Sequence, residues 1–232
     1  MNPILVEKEA ADRWDKAYAG GSDKSYPNLD LVRLDSWFFN KKPGRLLEYG
    51  FGCGVNLIHL LNSGYEIEGL DVSPHAKTLV ENKLQVRPDL AGRCRLQLLN
   101  PGETELPFLD NSFDYVTCVS VLSLLGNREN VSALLSEFRR VLVPGGKAIL
   151  DINDNKSDFA RDGEGLGDDV YLYPKEPKSG DSQARTLCLP DSESFVELIS
   201  PWLEIDDVGY SAHKLFRSEI HEFIVCCHKA SR

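Results

Sequence analysis

Apolar positions along this chain follow two rhythms, one helical and one short and continuous. In residues 6–19 (VEKEAADRWDKAYA) Trp14 and Tyr18 stand four apart on one face, which predicts a helix that Gly20-Gly21-Ser22 breaks. Beyond the Tyr26-Pro27-Asn28 turn, Leu31, Leu34 and Phe38 recur at helical spacing within residues 29–40, and Asn28 or Asp30 is placed to start that helix. Residues 41–44 form a linker. The rhythms then alternate. Short apolar runs predict strands over 45–48, 66–71, 93–99, 113–121 and 147–152, with helices over 55–63, 74–86 and 130–142 between them. Gly64 closes the first of these helices, and Pro144-Gly145-Gly146 stops the last. The run 113–121 is apolar enough for a strand buried on both faces. Such alternation predicts an α/β fold with a parallel sheet, right-handed crossovers and helices on both faces.

The rhythm fails over residues 153–185, where Asp, Gly, Lys and Ser crowd out apolar positions. A long irregular stretch is expected there, of the kind that serves function and orders when ligands bind. Pattern returns with a helix over 192–200, ended by Pro201, and strands over 203–210 and 219–228 separated by a loop, 211–218.

The first strand runs into Leu46-Leu47-Glu48-Tyr49-Gly50-Phe51-Gly52-Cys53-Gly54, and the second ends on Asp71. Three glycines let a backbone turn approach a ligand closely, and an acid ending the next strand suits ribose hydroxyls. The spacing G-x-G-x-G departs from the dinucleotide fingerprint G-x-G-x-x-G, which points to a different adenosine ligand. A tight turn without a ligand would also use these glycines. Asp71 and Ser73, ahead of Pro74, would equally serve as helix caps.

Four segments in order carry a resemblance: Leu46 to Gly54; Gly69-Leu70-Asp71-Val72-Ser73; Leu106-Pro107-Phe108-Leu109-Asp110-Asn111-Ser112-Phe113-Asp114-Tyr115-Val116; and Glu137 to Lys147 (EFRRVLVPGGK). The chain resembles the class I S-adenosylmethionine-dependent methyltransferases, of the small-molecule type 11 kind, over roughly residues 45–152. It departs from them at Leu124, where many relatives carry a histidine, so no base is placed there. The resemblance implies a Rossmann-like, seven-stranded, mostly parallel sheet with the last strand antiparallel. It implies one domain, 1–232: a helical cap (1–44), a cofactor-binding core (45–152), a lid or insert (153–200) and a carboxyl-terminal strand pair (201–232). It also implies S-adenosyl-L-methionine as methyl donor, leaving S-adenosyl-L-homocysteine. Its contacts would be Glu48 toward the amino group, the Gly50, Gly52 and Gly54 turn toward the carboxylate, Asp71 on the ribose, and Val72 against adenine. Asn100, Gly102 and Glu103 would sit at the adenine edge and Ser120 beside the methionine portion. Asn100 would equally be an ordinary turn residue before Pro101.

Methyl transfer from a sulfonium has a neutral leaving group, so alignment supplies much of the rate, and a base matters only for a hydroxyl or protonated amine. The catalytic residue is left unknown. Candidates are Tyr18, Tyr26 and His213, with His221 read as structural or solvent-facing. The implied reaction moves a methyl to an oxygen or nitrogen of a small-molecule acceptor. The alternatives are a nicotinamide-dependent oxidoreductase on the same fold and a non-catalytic cofactor-binding module.

Composition narrows the partners. The chain has 232 residues, 42% hydrophobic and 27% charged, room for one full core. A net charge of −10 argues against a nucleic-acid backbone as partner. No apolar stretch approaches the about 20 residues of a membrane helix. The six cysteines form no C-x-x-C pair, and Cys118 and Cys226 sit in apolar runs. With no signal peptide read, reduced thiols and a cytoplasmic location are expected. No metal-ligand spacing is found, and oligomeric state is left open.

Overall fold

The computed structural model describes residues 3–175, 182–216 and 218–231. Helices α1 (Lys8–Ala19) and α2 (Leu29–Trp37) precede the sheet. Asn28 caps α2, its side chain accepting the amides of Asp30 and Leu31. The core then alternates as the pattern predicts: β1 (Arg45–Tyr49), α3 (Val55–Asn62), β2 (Glu66–Asp71), α4 (Pro74–Gln85), a short α5 (Pro88–Ala91), β3 (Cys94–Leu98) and β4 (Phe113–Cys118). A 3-10 turn (Leu122–Leu125), α6 (Arg128–Val141) and β5 (Leu142–Asn153) follow. Strand β4 therefore ends at Cys118, short of the expected Val121, because Ser120 turns to a left-handed φ of 60°.

Downstream come α7 (Asp158–Arg161), β6 (Glu164–Gly167), β7 (Val170–Tyr173), β8 (Ala184–Leu187), α8 (Ser192–Ile199), β9 (Glu204–Leu215) and β10 (Ser218–His228). The expectation of an irregular stretch over 153–185 is corrected here. Its described residues build a separate three-stranded antiparallel sheet, β6-β7-β8, while 176–181 lie outside the described residues. The sequence hid this sheet because all four residues of β6 are exposed and show no apolar alternation. The loop expected over 211–218 is corrected too, since β9 continues to Leu215 and places His213 on a strand.

The main sheet has seven strands in the order β3-β2-β1-β4-β5-β10-β9. Strands β1 to β5 pair in parallel, and β10 runs antiparallel to both β5 and β9. One face of this sheet packs against α6 and α8 through Leu47, Tyr49, Phe138 and Phe195, and the other against α2, α3 and α4 through Leu31, Leu57, Leu60 and Val80. The strand order reverses between β1 and β4, and in open α/β sheets ligands bind beyond the carboxyl ends of strands at such a switch. Away from that end, buried Asp35 joins α2 to the core, accepting from Tyr65 Oη and Ser63 Oγ at 2.7 Å and contacting His59 Nε2 at 3.1 Å, just ahead of β2. These partners hold its carboxyl below the usual range despite its burial.

Candidate functional site

A cavity of about 700 Å³ opens at the carboxyl ends of β1, β2 and β4, within the size range of small-molecule sites. One end of it is the glycine turn between β1 and α3. Gly50, Gly52 and Gly54 all have positive φ, at 78°, 50° and 80°. A Cβ on Gly50 would lie 2.4 Å from Val121 Cγ2, so both conformation and space require glycine there. The turn is pinned to β2: the Gly50 amide donates to the Leu70 carbonyl at 2.7 Å, and the Gly52 amide to Asp71 Oδ2 at 2.8 Å. Asp71 Oδ1 accepts the Ser73 amide at 2.9 Å. Burial raises the Asp71 carboxyl, while the Ser73 and Gly52 amides pull it back.

Helix α1 forms the adjoining wall. Asp15 accepts Ser73 Oγ at 2.5 Å and the His75 amide at 3.1 Å, clamping α1 onto the start of α4. The same helix brings Ala10, Trp14 and Tyr18 to the cavity. The Tyr18 hydroxyl sits over the turn, 2.5 Å from where a Gly52 Cβ would be. Burial first, and then the charge of Asp71, raises its pKa, so Tyr18 stays a phenol and donates rather than removes a proton. The Trp14 indole nitrogen is buried without a partner among the described residues.

Of the residues singled out in the sequence, the structure brings Gly50, Gly52, Asp71, Val72, Ser120, Tyr18, Tyr26 and His213 to this one cavity. Others lie elsewhere. Gly54 caps α3 behind the turn, backed by Val80. Glu48 is buried on the face of β1 that carries Leu46, beneath the turn rather than in the lining. One of its oxygens has no partner among the described residues, and burial, then Asp71, pushes its carboxyl well above the ordinary range. Asn100, Gly102 and Glu103 form a turn outside the lining, with Asn100 Nδ2 donating to Glu103 Oε1. That turn acts indirectly: the Glu103 carbonyl accepts the Leu5 amide, and the Gly102 amide donates to the Val6 carbonyl, which sets Val6 in the cavity wall. His221 lies outside the lining, with Nδ1 in contact with Tyr210 Oη.

Among the turn's amides, those of Gly50, Phe51, Gly52 and Gly54 are spent on Leu70, Asp71 and Phe51. The Cys53 amide alone has no acceptor among the described residues, so an anion at this helix start would meet it and the first turn of α3.

Residues 47–150 match the protein family described as "Methyltransferase domain". The chain carries a methyltransferase domain over these residues. A demethylmenaquinone methyltransferase of Bacillus velezensis is 37% identical over 84 residues, covering 36% of this chain. The aligned part spans 33% of that relative's length. Solved structures share the fold over more of the chain. A SAM-dependent methyltransferase from Methanosarcina mazei superposes with a TM-score of 0.71 at 21% identity, over 84% of this chain and 98% of its own. A 1,6-didemethyltoxoflavin-N1-methyltransferase from Burkholderia thailandensis, solved with its acceptor and S-adenosylhomocysteine, gives 0.68 at 14% identity, over 96% and 88%.

Sequence reading missed the far end of the cavity, which Lys24, Asp30, Arg33, Ser211, Ile220 and Glu222 line. A signal was present. Ile220, Glu222 and Ile224 share one face of a strand, and an acid interrupting an apolar face marks a site.

Proposed function

We propose that this chain transfers the methyl group of S-adenosylmethionine to a nitrogen or oxygen of a small-molecule acceptor. What carries the reading is the continuity of one cavity from the glycine turn and Asp71 to a second, polar end large enough for an acceptor. The donor supplies a methyl on a positively charged sulfur with a neutral leaving group. The chain supplies placement. Asp71 offers the unused lone pairs of its two oxygens to the ribose hydroxyls, and its charge strengthens those bonds. Val72, Leu70 and Leu99 give an apolar bed for a base. Alignment of the two substrates then accounts for most of the rate, and helix α1 with Tyr18 keeps water from the donor end.

Support for a small acceptor comes from the size of the cavity and from the structural neighbour named a 1,6-didemethyltoxoflavin-N1-methyltransferase, which holds that small molecule. The test is calorimetry with S-adenosylhomocysteine and with NADH, followed by incubation of metabolite fractions with radiolabelled donor. Binding of the homocysteine compound and transfer of label to a small molecule support the reading. Tighter binding of NADH would favour an oxidoreductase, and binding without transfer to any fraction would favour a non-catalytic module.

A further inference from the structure

The sheet register builds an acidic floor at the far end of the cavity. Asp151 on β5 pairs with Ile224 on β10, and Glu222 pairs with Asn153. Asp151 and Glu222 are therefore diagonal neighbours on one face of the sheet. Both are nearly withdrawn from solvent, at 3% and 8% exposure. Their situations differ. Asp151 accepts the Ser120 amide at 2.6 Å, which fixes the positive-φ turn after β4. The Glu222 side chain lines the cavity, and its carboxylate makes no hydrogen bond or ion pair among the described residues. A carboxylate so buried and unpartnered leaves its acceptor capacity for something that enters the cavity.

The surroundings define what that is. Ser211 and His213 of β9 stand opposite Glu222 and Ile220 in the hairpin register. From the other side come Asp30 and Arg33 of α2, which neutralise each other in a 2.8 Å ion pair, and Lys24, which makes no salt-bridge contact with either carboxyl among the described residues but whose charge partly offsets the rise that burial gives both. Two carboxyls side by side repel an anionic acceptor and favour one that brings hydrogen-bond donors or positive charge. We propose that Glu222, backed by Asp151, anchors the methyl acceptor through its N–H groups, and that the acceptor is an amine. The proposal rests on the methyltransferase reading above.

The chemistry is consistent with that assignment. An amine attacks only through a free lone pair, so its ammonium form must first lose a proton. Burial raises both carboxyls, and Glu222 raises Asp151 further, which suits the pair to receive that proton. The ammonium proton passes to Glu222, the freed lone pair then forms the nitrogen–carbon bond as the carbon–sulfur bond breaks with its electron pair staying on sulfur, and the product leaves as the methylated ammonium.

Calorimetry in saturating S-adenosylhomocysteine, with a matched set of arylalkyl amines and the corresponding alcohols and carboxylates, tests this. Amines should bind about tenfold more tightly than their counterparts, and Glu222→Gln should abolish the preference. The variant's affinity for S-adenosylhomocysteine should stay at the parent's and its melting temperature should not fall below it, which separates a lost anchor from a damaged fold. Equal or tighter binding of alcohols or carboxylates, or a preference that survives in E222Q, would overturn the proposal while leaving the methyltransferase reading intact. Failure of the parent protein to bind S-adenosylhomocysteine would instead remove the reading and the inference together.

Discussion

At the Asp71 end of the cavity, both carboxylate oxygens already hold main-chain amides, and the glycine turn around them is bonded to β2 and backed by Val121 and Tyr18. At the Glu222 end the carboxyl has no partner among the described residues, and the wall comes from two regions far apart in the chain, 24–33 and 211–222. One end is pre-formed to receive a single ligand shape. The other leaves polar groups unpaired until a ligand arrives. A rigid donor site joined to an open acceptor site lets one scaffold keep its methyl source while the acceptor changes.

Substitutions can break this contrast, and the largest effect is expected at the turn. Gly50→Val adds a side chain into Val121 at a positive φ, so it should cost about 3 kcal/mol of stability and abolish S-adenosylhomocysteine binding, read by thermal melting and calorimetry. Gly21 is the control. It also has a positive φ, 91°, but no neighbour within 4 Å of an added Cβ, so Gly21→Ala should cost only about 1 kcal/mol. Next comes Asp71→Ala, which should weaken S-adenosylhomocysteine by about 2 kcal/mol in calorimetry. An unchanged affinity would remove Asp71 from the donor site.

The same contrast explains what could be read from the sequence. The turn and Asp71 were legible because their chemistry is local: three glycines and an acid closing adjacent strands. The alternating core was legible too, with most boundaries within a few residues, because apolar runs and glycine or proline stops mark it. The far end was legible only as an acid, Glu222, interrupting the apolar face of Ile220 and Ile224. Glu222 acquires its role only when β10 inserts between β5 and β9, and that register is a long-range property. The small sheet β6-β7-β8 escaped for a related reason, since each strand has only four residues, β6 is exposed and β7 half-buried throughout, so neither carries alternation.

Two smaller effects sharpen the picture. Glu48 is buried with a raised carboxyl, so its favourable contribution is complete below its ordinary value of 4.5 and is lost as pH rises through the raised one. Glu48→Gln escapes that loss. In urea unfolding the variant should gain on the parent as pH rises above the ordinary value of 4.5, and a pH-independent difference would contradict the assignment. Smallest of all, Tyr18→Phe should leave the pH profile of methyl transfer unmoved, because the phenol stays protonated throughout. A shifted profile would make Tyr18 a proton acceptor after all.

The most direct measurement is a crystal structure of the protein grown with S-adenosylhomocysteine. The ribose hydroxyls should lie on Asp71, the carboxylate near the Cys53 amide at the start of α3, and the sulfur should face open space leading to Ser120 and Glu222. Nucleoside density anywhere else, or a Glu222 end filled by the protein's own side chains, would contradict the two-ended cavity.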